Sequence, residues 1–269
     1  LTENLKNKRD FNMGFIDSHM HTIFLHYSVL EELAKKNYEA VATLAYLPVS
    51  FSSPESLRDH FNHLIYEKGR LRRVGLTALV GIGLHPRCIP KRLEIEKFLG
   101  VIKEFVTVAD VIGEVGLHVM NDLEINVLKF QLKIAKEYDK PVIIHTPRGK
   151  NKTKALKLTL KIIKDVGISP ELIVIDHVST NPEILNILSR ENVYVGFTIQ
   201  VGKASVDDVV YAIKTHPQLG ERILLNSDAG NEPSDYLAVA KAFEKLCELI
   251  GRNVAYHCAI YNARNFFRI

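Results

Sequence analysis

The sequence is poor in cysteine, with Cys88, Cys247 and Cys258 as its whole complement. That is an odd number, and no two stand in C-x-x-C spacing. A disulfide scaffold is not expected, and a reducing cytoplasm is the expected location. Long apolar runs are also missing. Uncharged, mostly apolar stretches such as Val74–Leu84 fall well short of the roughly 20 residues a membrane-crossing helix needs. The first residues, LTENLKNKRDFN, have no apolar signal-peptide core. No G-x-G-x-x-G, P-loop lysine or G-x-S-x-G motif occurs, which argues against dinucleotide binding and a nucleophile-elbow serine hydrolase. Helix-turn-helix and zinc-finger spacings are absent too, so a base-pair reader is not expected. Charge of one sign is not dominant: 35 basic against 31 acidic residues leave +4, too little alone to argue for nucleic acid.

What is present is a rhythm. Apolar or β-branched runs recur at Phe15–His21, Ala40–Pro48, Ala78–His85, Val111–His118, Pro141–Thr146, Leu172–Val178, Val193–Ile199 and Ile223–Asp228. The intervening segments read as helices. Glu94–Phe105 places Ile95, Phe98, Leu99, Ile102 and Phe105 on one face, and Leu123–Tyr138 repeats the pattern. Asn181-Pro182 caps a third helix, and Tyr236–Ile250 is a fourth, ended by Gly251. Strands that alternate with helices and read as near-continuous apolar runs form parallel sheets. Eight such units of about 30 residues predict a single α/β domain, a (β/α)8 TIM barrel with its active site at the C-terminal ends of the strands. Residues 1–12 are expected to be an N-terminal extension or cloning remnant, and 13–269 the barrel domain.

The chemistry-bearing residues cluster at strand ends. Strand 1 carries Asp17, His19 and His21, expected on one face because strand side chains alternate. A bare H-x-H arises by chance about 0.4 times in a chain with this many histidines, so its meaning comes from context. That context is His85-Pro86-Arg87 after strand 3, Glu114 in strand 4, His145 ending strand 5, Asp176-His177 ending strand 6, and Ser227-Asp228 ending strand 8. Burying these groups near a barrel core without partners is costly. A metal cluster would partner them all at once.

The D-x-H-x-H of strand 1, G-E-V-G-L of strand 4, P-V-I-I-H of strand 5, the histidine of strand 6 and S-D of strand 8 resemble the TatD-related metal-dependent hydrolases of the amidohydrolase superfamily. The G-x-H-P of strand 3 and Asn262–Phe266 near the end also match, the second loosely. The resemblance implies two divalent ions: zinc, manganese, iron, nickel or magnesium. It implies that His19, His21 and Asp228 hold one, that His145 and His177 hold the other, and that Glu114 bridges them. A hydroxide shared by the ions would attack, with Asp228 moving the proton. The implied activity is that of a phosphodiesterase or deoxyribonuclease. A small-molecule amidohydrolase or lactonase uses the same metal pair, and a non-catalytic nucleic-acid-binding barrel is the third reading. The chain departs from the family at His118, where aspartate is usual, and at Arg148, one place later than usual. Val178 and Ser179 follow His177 in place of an aromatic and a glycine, and strand 8 reads Asn226-Ser-Asp-Ala-Gly.

The loop Arg148–Lys154 holds four cations in seven residues just before a predicted helix. Cations there oppose the helix dipole, so an anionic ligand is the better explanation. His85, Arg87, His118, Arg148 and Lys150 are therefore the expected substrate-binding residues. The expected partner is an anionic substrate, either DNA ends or a small phosphoester, with no membrane and no obligate protein partner. Cys88 beside His85 is a remote candidate for a nucleophile–base pair. His26, His60, His63, His216 and His257 are read as surface or packing residues, and Phe266-Phe267 as an anchor against the barrel.

Overall fold

In the computed structural model, which describes residues 14–90, 95–230 and 232–269, eight parallel strands stand in sequence order around one sheet. They are β1 Phe15–Met20, β2 Tyr38–Thr43, β3 Thr77–Ile82, β4 Val111–Gly116, β5 Val142–His145, β6 Ile173–Ile175, β7 Tyr194–Thr198 and β8 Ile223–Asn226. Each overlaps a run read from the sequence. The sheet closes where His21 N donates to Ala229 O (2.8 Å) and Asp228 N to His19 O (2.9 Å). The chain is a (β/α)8 barrel. The expected extension over residues 1–12 lies outside the described residues.

A helix follows every strand: α1 Tyr27–Lys35, α2 Pro54–Arg73, α3 Ile95–Phe105, α4 Asp122–Glu137, α5 Lys152–Val166, α6 Pro182–Leu188, α7 Val206–Thr215 and α8 Ala238–Ile250. Sequence chemistry sets their starts. Ser53 and Ser205 form reciprocal capping boxes before α2 and α7. Asn181 accepts from the amides of Glu183 and Ile184, with Pro182 at the first helical position of α6. Most of the buried apolar side chains lie between the outer faces of the strands and these helices. No helix among the described residues is long and apolar enough to cross a membrane.

The bore has a core of its own. Ile16, Ala40, Leu79, Val111, Ile143, Val174 and Leu224 meet inside the strands. The chain after α8 continues as α9 Arg252–Tyr256, a π-helical turn His257–Tyr261 and α10 Asn262–Phe267. Ala263, Phe266 and Phe267 join the bore cluster, and Phe266 stacks edge-on against Tyr194 at the start of β7. Asn262 Nδ2 donates to Gly220 O (3.0 Å) and Ile223 O (2.9 Å) just before and at the start of β8. The sequence-based anchoring role of Phe266-Phe267 is thus seen as a plug in the N-terminal end of the barrel.

Candidate metal centre and its mouth

At the opposite end the bore turns polar. His19, His21, His85, Glu114, His177 and Asp228 are all buried, and His145 nearly so. The alternation of β1 does not run unbroken. Its pairing with β2 shifts register between Asp17 and Met20, and such irregularities re-aim side chains. His19 and His21 face the bore. Asp17 does not join them: its carboxylate accepts from His19 N (3.1 Å) and Ser227 N (3.2 Å) and ties β1 to the end of β8. Burial pushes the Asp17 carboxyl up to about 7 against these hydrogen bonds.

Three donor atoms form a compact triangle. His19 Nε2 and His21 Nε2 lie 3.2 Å apart. Asp228 Oδ1 lies 3.2 Å from His21 Nε2 and 3.5 Å from His19 Nε2. Ligand atoms about 2.1 Å from one tetrahedral ion stand about 3.4 Å apart, so this spacing suits a shared cation. Glu114 reaches both sides of the cluster. Its Oε2 is 3.4 Å from His19 Nε2, and its Oε1 is 2.7 Å from His145 Nδ1 and 3.1 Å from His177 Nε2. Its donor atoms group with those of His19 and His177, and also with those of His85 and His145.

The outer nitrogens sort the imidazoles. His19 Nδ1 donates to Asp176 Oδ2 (2.6 Å) and His21 Nδ1 to Leu44 O (3.1 Å). Each ring then presents a bare Nε2 to the centre, as a metal ligand requires. His177 Nδ1 meets Thr198 Oγ1 at 2.7 Å. His145 has Nδ1 against Glu114, while its buried Nε2 has no partner. His85 is the exception. Its Nδ1 accepts from Arg87 N (3.1 Å), so the neutral ring carries its proton on Nε2. Burial holds His85 well below the usual imidazole range against the pull of Glu114, so it is a hydrogen-bond donor at the cluster's edge.

Electrostatics favour cation binding. Burial alone would raise Glu114 and Asp228. The surrounding imidazoles, His19 first, outweigh it and hold both carboxylates well below their ordinary range. Burial opposes charge on His19, yet Glu114 and Asp228 together lift it well above the ordinary value. A proton there occupies ground that a divalent ion would take, and metal binding would release it. His177 and Asp228 both have left-handed backbone, with φ of 55° and 49°. Such strain in non-glycine residues concentrates at functional sites.

Asp176 organises the shell behind the ligands. Besides His19 it accepts from His177 N (2.7 Å) and Asn226 Nδ2 (2.9 Å). Burial would raise this carboxyl, but His177 and His19 bring it down to about 2. Gly196 makes room for it, since a Cβ there would overlap Asp176 Oδ1.

A cavity of about 680 Å³ opens above the cluster. All five expected substrate-binding residues line it: His85, Arg87, His118, Arg148 and Lys150. Arg87 lies over the Tyr46 ring at 5.9 Å. His118 sits on a loop fixed by Glu124, whose carboxylate accepts from the amides of His118, Val119 and Met120 at 2.7–3.1 Å. Arg148 is engaged by Glu232 (2.6 Å) across the mouth. Two further lysines line the cavity that the sequence did not single out as site residues. Lys203, on the loop after β7, pairs with Asp228 Oδ2. Lys152 donates to the carbonyl of His177, and burial together with Lys203 and Arg148 brings its ammonium down to about 8 against the pull of Asp176. Cys88 is no nucleophile: its thiol donates to Leu47 O (2.8 Å), and burial pushes it up to about 11. Of the other histidines, His26 caps α1, and His60 is buried between Phe51 and Phe61.

This arrangement agrees with the comparisons to known proteins. The model of the family described as TatD related DNase matches residues 16–268. An uncharacterised metal-dependent hydrolase of Methanocaldococcus jannaschii is 34% identical, over 94% of this chain and 100% of that one. The crystal structure of a TatD-like protein from Archaeoglobus fulgidus is similar, with 36% identity, coverage of 95% of this chain and 100% of that one, and a TM-score of 0.78. A phosphotriesterase homology protein from Escherichia coli, crystallised with phosphate in its active site, shares the fold at 14% identity, with 95% and 99% coverage and a TM-score of 0.68. The chain belongs to the TatD-related family of metal-dependent hydrolases.

Proposed function

We propose that the protein is a divalent-metal-dependent phosphodiesterase of the deoxyribonuclease type. The observation that carries this reading is a compact set of buried imidazole nitrogens and carboxylates beneath a cavity whose wall is cationic. His19, His21 and Asp228 would hold one ion, and His145 and His177 the other, with Glu114 between them. Nitrogen and oxygen donors together suit zinc, manganese, iron or nickel. Bound divalent ions supply Lewis-acid polarisation of the ester and lower the pKa of water from 15.7 toward about 7.

The protein's own groups do the rest. Asp228 has one oxygen at the cluster and the other on Lys203, so it is oriented to take a proton and pass it to the leaving oxygen. His85 offers its Nε2–H toward the same space, where it would hydrogen-bond a non-bridging phosphate oxygen. Arg87 and Lys150 supply charge at the rim, and His118 closes one side of the cavity. The free thiols of Cys88, Cys247 and Cys258 fit a cytoplasmic location.

The test is a metal-loaded sample offered single-stranded DNA, duplex DNA and bis(p-nitrophenyl) phosphate, beside a panel of lactones and cyclic amides. Chelator-sensitive cleavage of the phosphodiesters is expected. Turnover confined to lactones or amides would make it a small-molecule hydrolase. Nucleic-acid binding that survives chelation, without cleavage under any metal, would make it a binding protein.

A further inference from the structure

Tyr46 lies three residues past the end of β2, on the face where the strands open into the cavity. In the sequence it is only one member of the apolar run Ala40–Pro48. Its segment is pinned on both sides. Leu44 N donates to Met20 O (2.9 Å) and Ala45 N to Gly113 O (3.1 Å), while Leu47 O accepts from the Cys88 thiol (2.8 Å). The Tyr46 ring is wedged between two imidazoles, its centroid 5.4 Å from that of His21 and 4.7 Å from that of His85. Only 6% of the residue is exposed.

Held this firmly, the phenol still ends without a partner. Buried tyrosines usually place their hydroxyl on an acceptor, yet Tyr46 makes no hydrogen bond among the described residues. Its oxygen is not one of the unmatched polar atoms sealed from solvent, so it faces the cavity that the residue lines. The neighbouring groups share the same need. The Arg87 guanidinium lies 5.9 Å from the centroid of the Tyr46 ring and has no ion-pair partner among the described residues. His85 presents Nε2–H beside it, and Glu114 Oε2, at 3.8 Å from that nitrogen, is beyond hydrogen-bond reach. Phenol, imidazole and guanidinium are thus three donors with no acceptor between them. Donors withdrawn from water and left unmatched are costly, and an oxygen-rich anion would satisfy all three.

We infer that Tyr46 is a catalytic residue, whose hydroxyl donates to a non-bridging oxygen of the phosphoryl group under attack, beside His85 and Arg87. This rests on the phosphodiesterase reading and adds to it an uncharged donor. A phenol, ordinarily near 10, keeps its proton at neutral pH. A donor fixed before substrate arrives needs no reorganisation as charge builds on that oxygen.

Tyr46→Phe removes one oxygen atom and leaves the ring packing in place. In metal-loaded enzyme, kcat for methyl p-nitrophenyl phosphate and for methyl phenyl phosphate should fall by a similar factor, about a hundredfold. Metal content and the unfolding midpoint should match the wild type, because the hydroxyl has no protein partner to lose. Unchanged kcat overturns the assignment. So does a loss confined to the phenyl ester, which would make Tyr46 an acid for the leaving group, and so does a loss that tracks missing metal or a lowered midpoint. A second measurement reads the contact without turnover: inorganic phosphate is titrated calorimetrically into metal-loaded protein. Tyr46→Phe should weaken binding at least fivefold, and equal affinity overturns the proposal. If the wild type cleaves no phosphodiester while its phosphate affinity still depends on Tyr46, the phosphodiesterase reading fails and the contact between Tyr46 and a phosphoryl oxygen stands.

Discussion

The two ends of the barrel bore are built on the same eight strands and have opposite contents. At the N-terminal end, Phe266 and Phe267 close a wholly apolar cluster of small and branched side chains. At the C-terminal end, imidazoles and carboxylates are buried at similar depth and paired with one another. The backbone geometry does not decide this. The residue at each strand end does, with help from breaks in regularity such as the β1 register shift that turns His19 and His21 inward. The lesson is that depth of burial separates the two ends poorly, whereas the partners of the buried atoms separate them cleanly. His19 and His21 have their outer nitrogens fixed, on Asp176 and Leu44 O, and turn their inner nitrogens to the cluster.

The largest break in the contrast is expected from Glu114→Gln. The polar end should lose its ability to hold a metal pair, with metal content by elemental analysis falling from about two ions to one or none and activity falling on the order of a thousandfold or more. Unchanged metal content would remove Glu114 from the ligand set. The apolar end should fail differently. Phe266→Ala removes a ring that seals the floor and should cost about 3–5 kcal/mol in denaturant unfolding, while the folded fraction keeps its metal content. A loss of metal without a loss of stability would show the two ends to be coupled.

A smaller effect sharpens the role of the second layer. Asp176→Asn keeps the size of the side chain but weakens its hold on His19, and metal affinity by isothermal titration should fall about 10–100-fold. Gly196→Ala should act in the same direction, because its Cβ pushes on the same carboxylate.

The smallest effect concerns the imidazole buried away from the mouth. Burial brings His60 down to about 3, with His21 and His63 adding to it, and its Nε2 has no partner. The unfolded chain binds a proton near the ordinary value of about 6.5 and the folded chain does not. Stability is therefore full above that pH and falls as pH drops toward 3, on the order of 1 kcal/mol between pH 7 and 5.5. His60→Leu should flatten that part of the unfolding profile. An unaltered slope would show that His60 is protonated in the folded protein.

Much of this was legible in the sequence. Period and composition mark all eight strands, and because strand ends converge in a closed barrel, the six expected ligands could be placed together without knowing any distance. Asp17 was misplaced because a strict two-residue alternation does not foresee a register shift. Lys203 carries no motif. It reaches Asp228 only because a tight turn, with Gly202 at φ 80°, folds the loop after β7 back over the mouth. The clamp of Glu124 on the His118 loop is likewise a tertiary event, visible in the sequence only as an acid near a helix start. The tautomer of His85 depends on one backbone amide, and side-chain identities do not encode it.

The floor plug follows every strand in chain order. A chain elongating from its N-terminus therefore has all eight staves available before the stopper exists. Until α10 arrives, the lumen around Ile16, Leu79 and Ile143 is an open greasy well. During synthesis, that interval leaves open an apolar surface that the finished protein buries, a condition that favours aggregation.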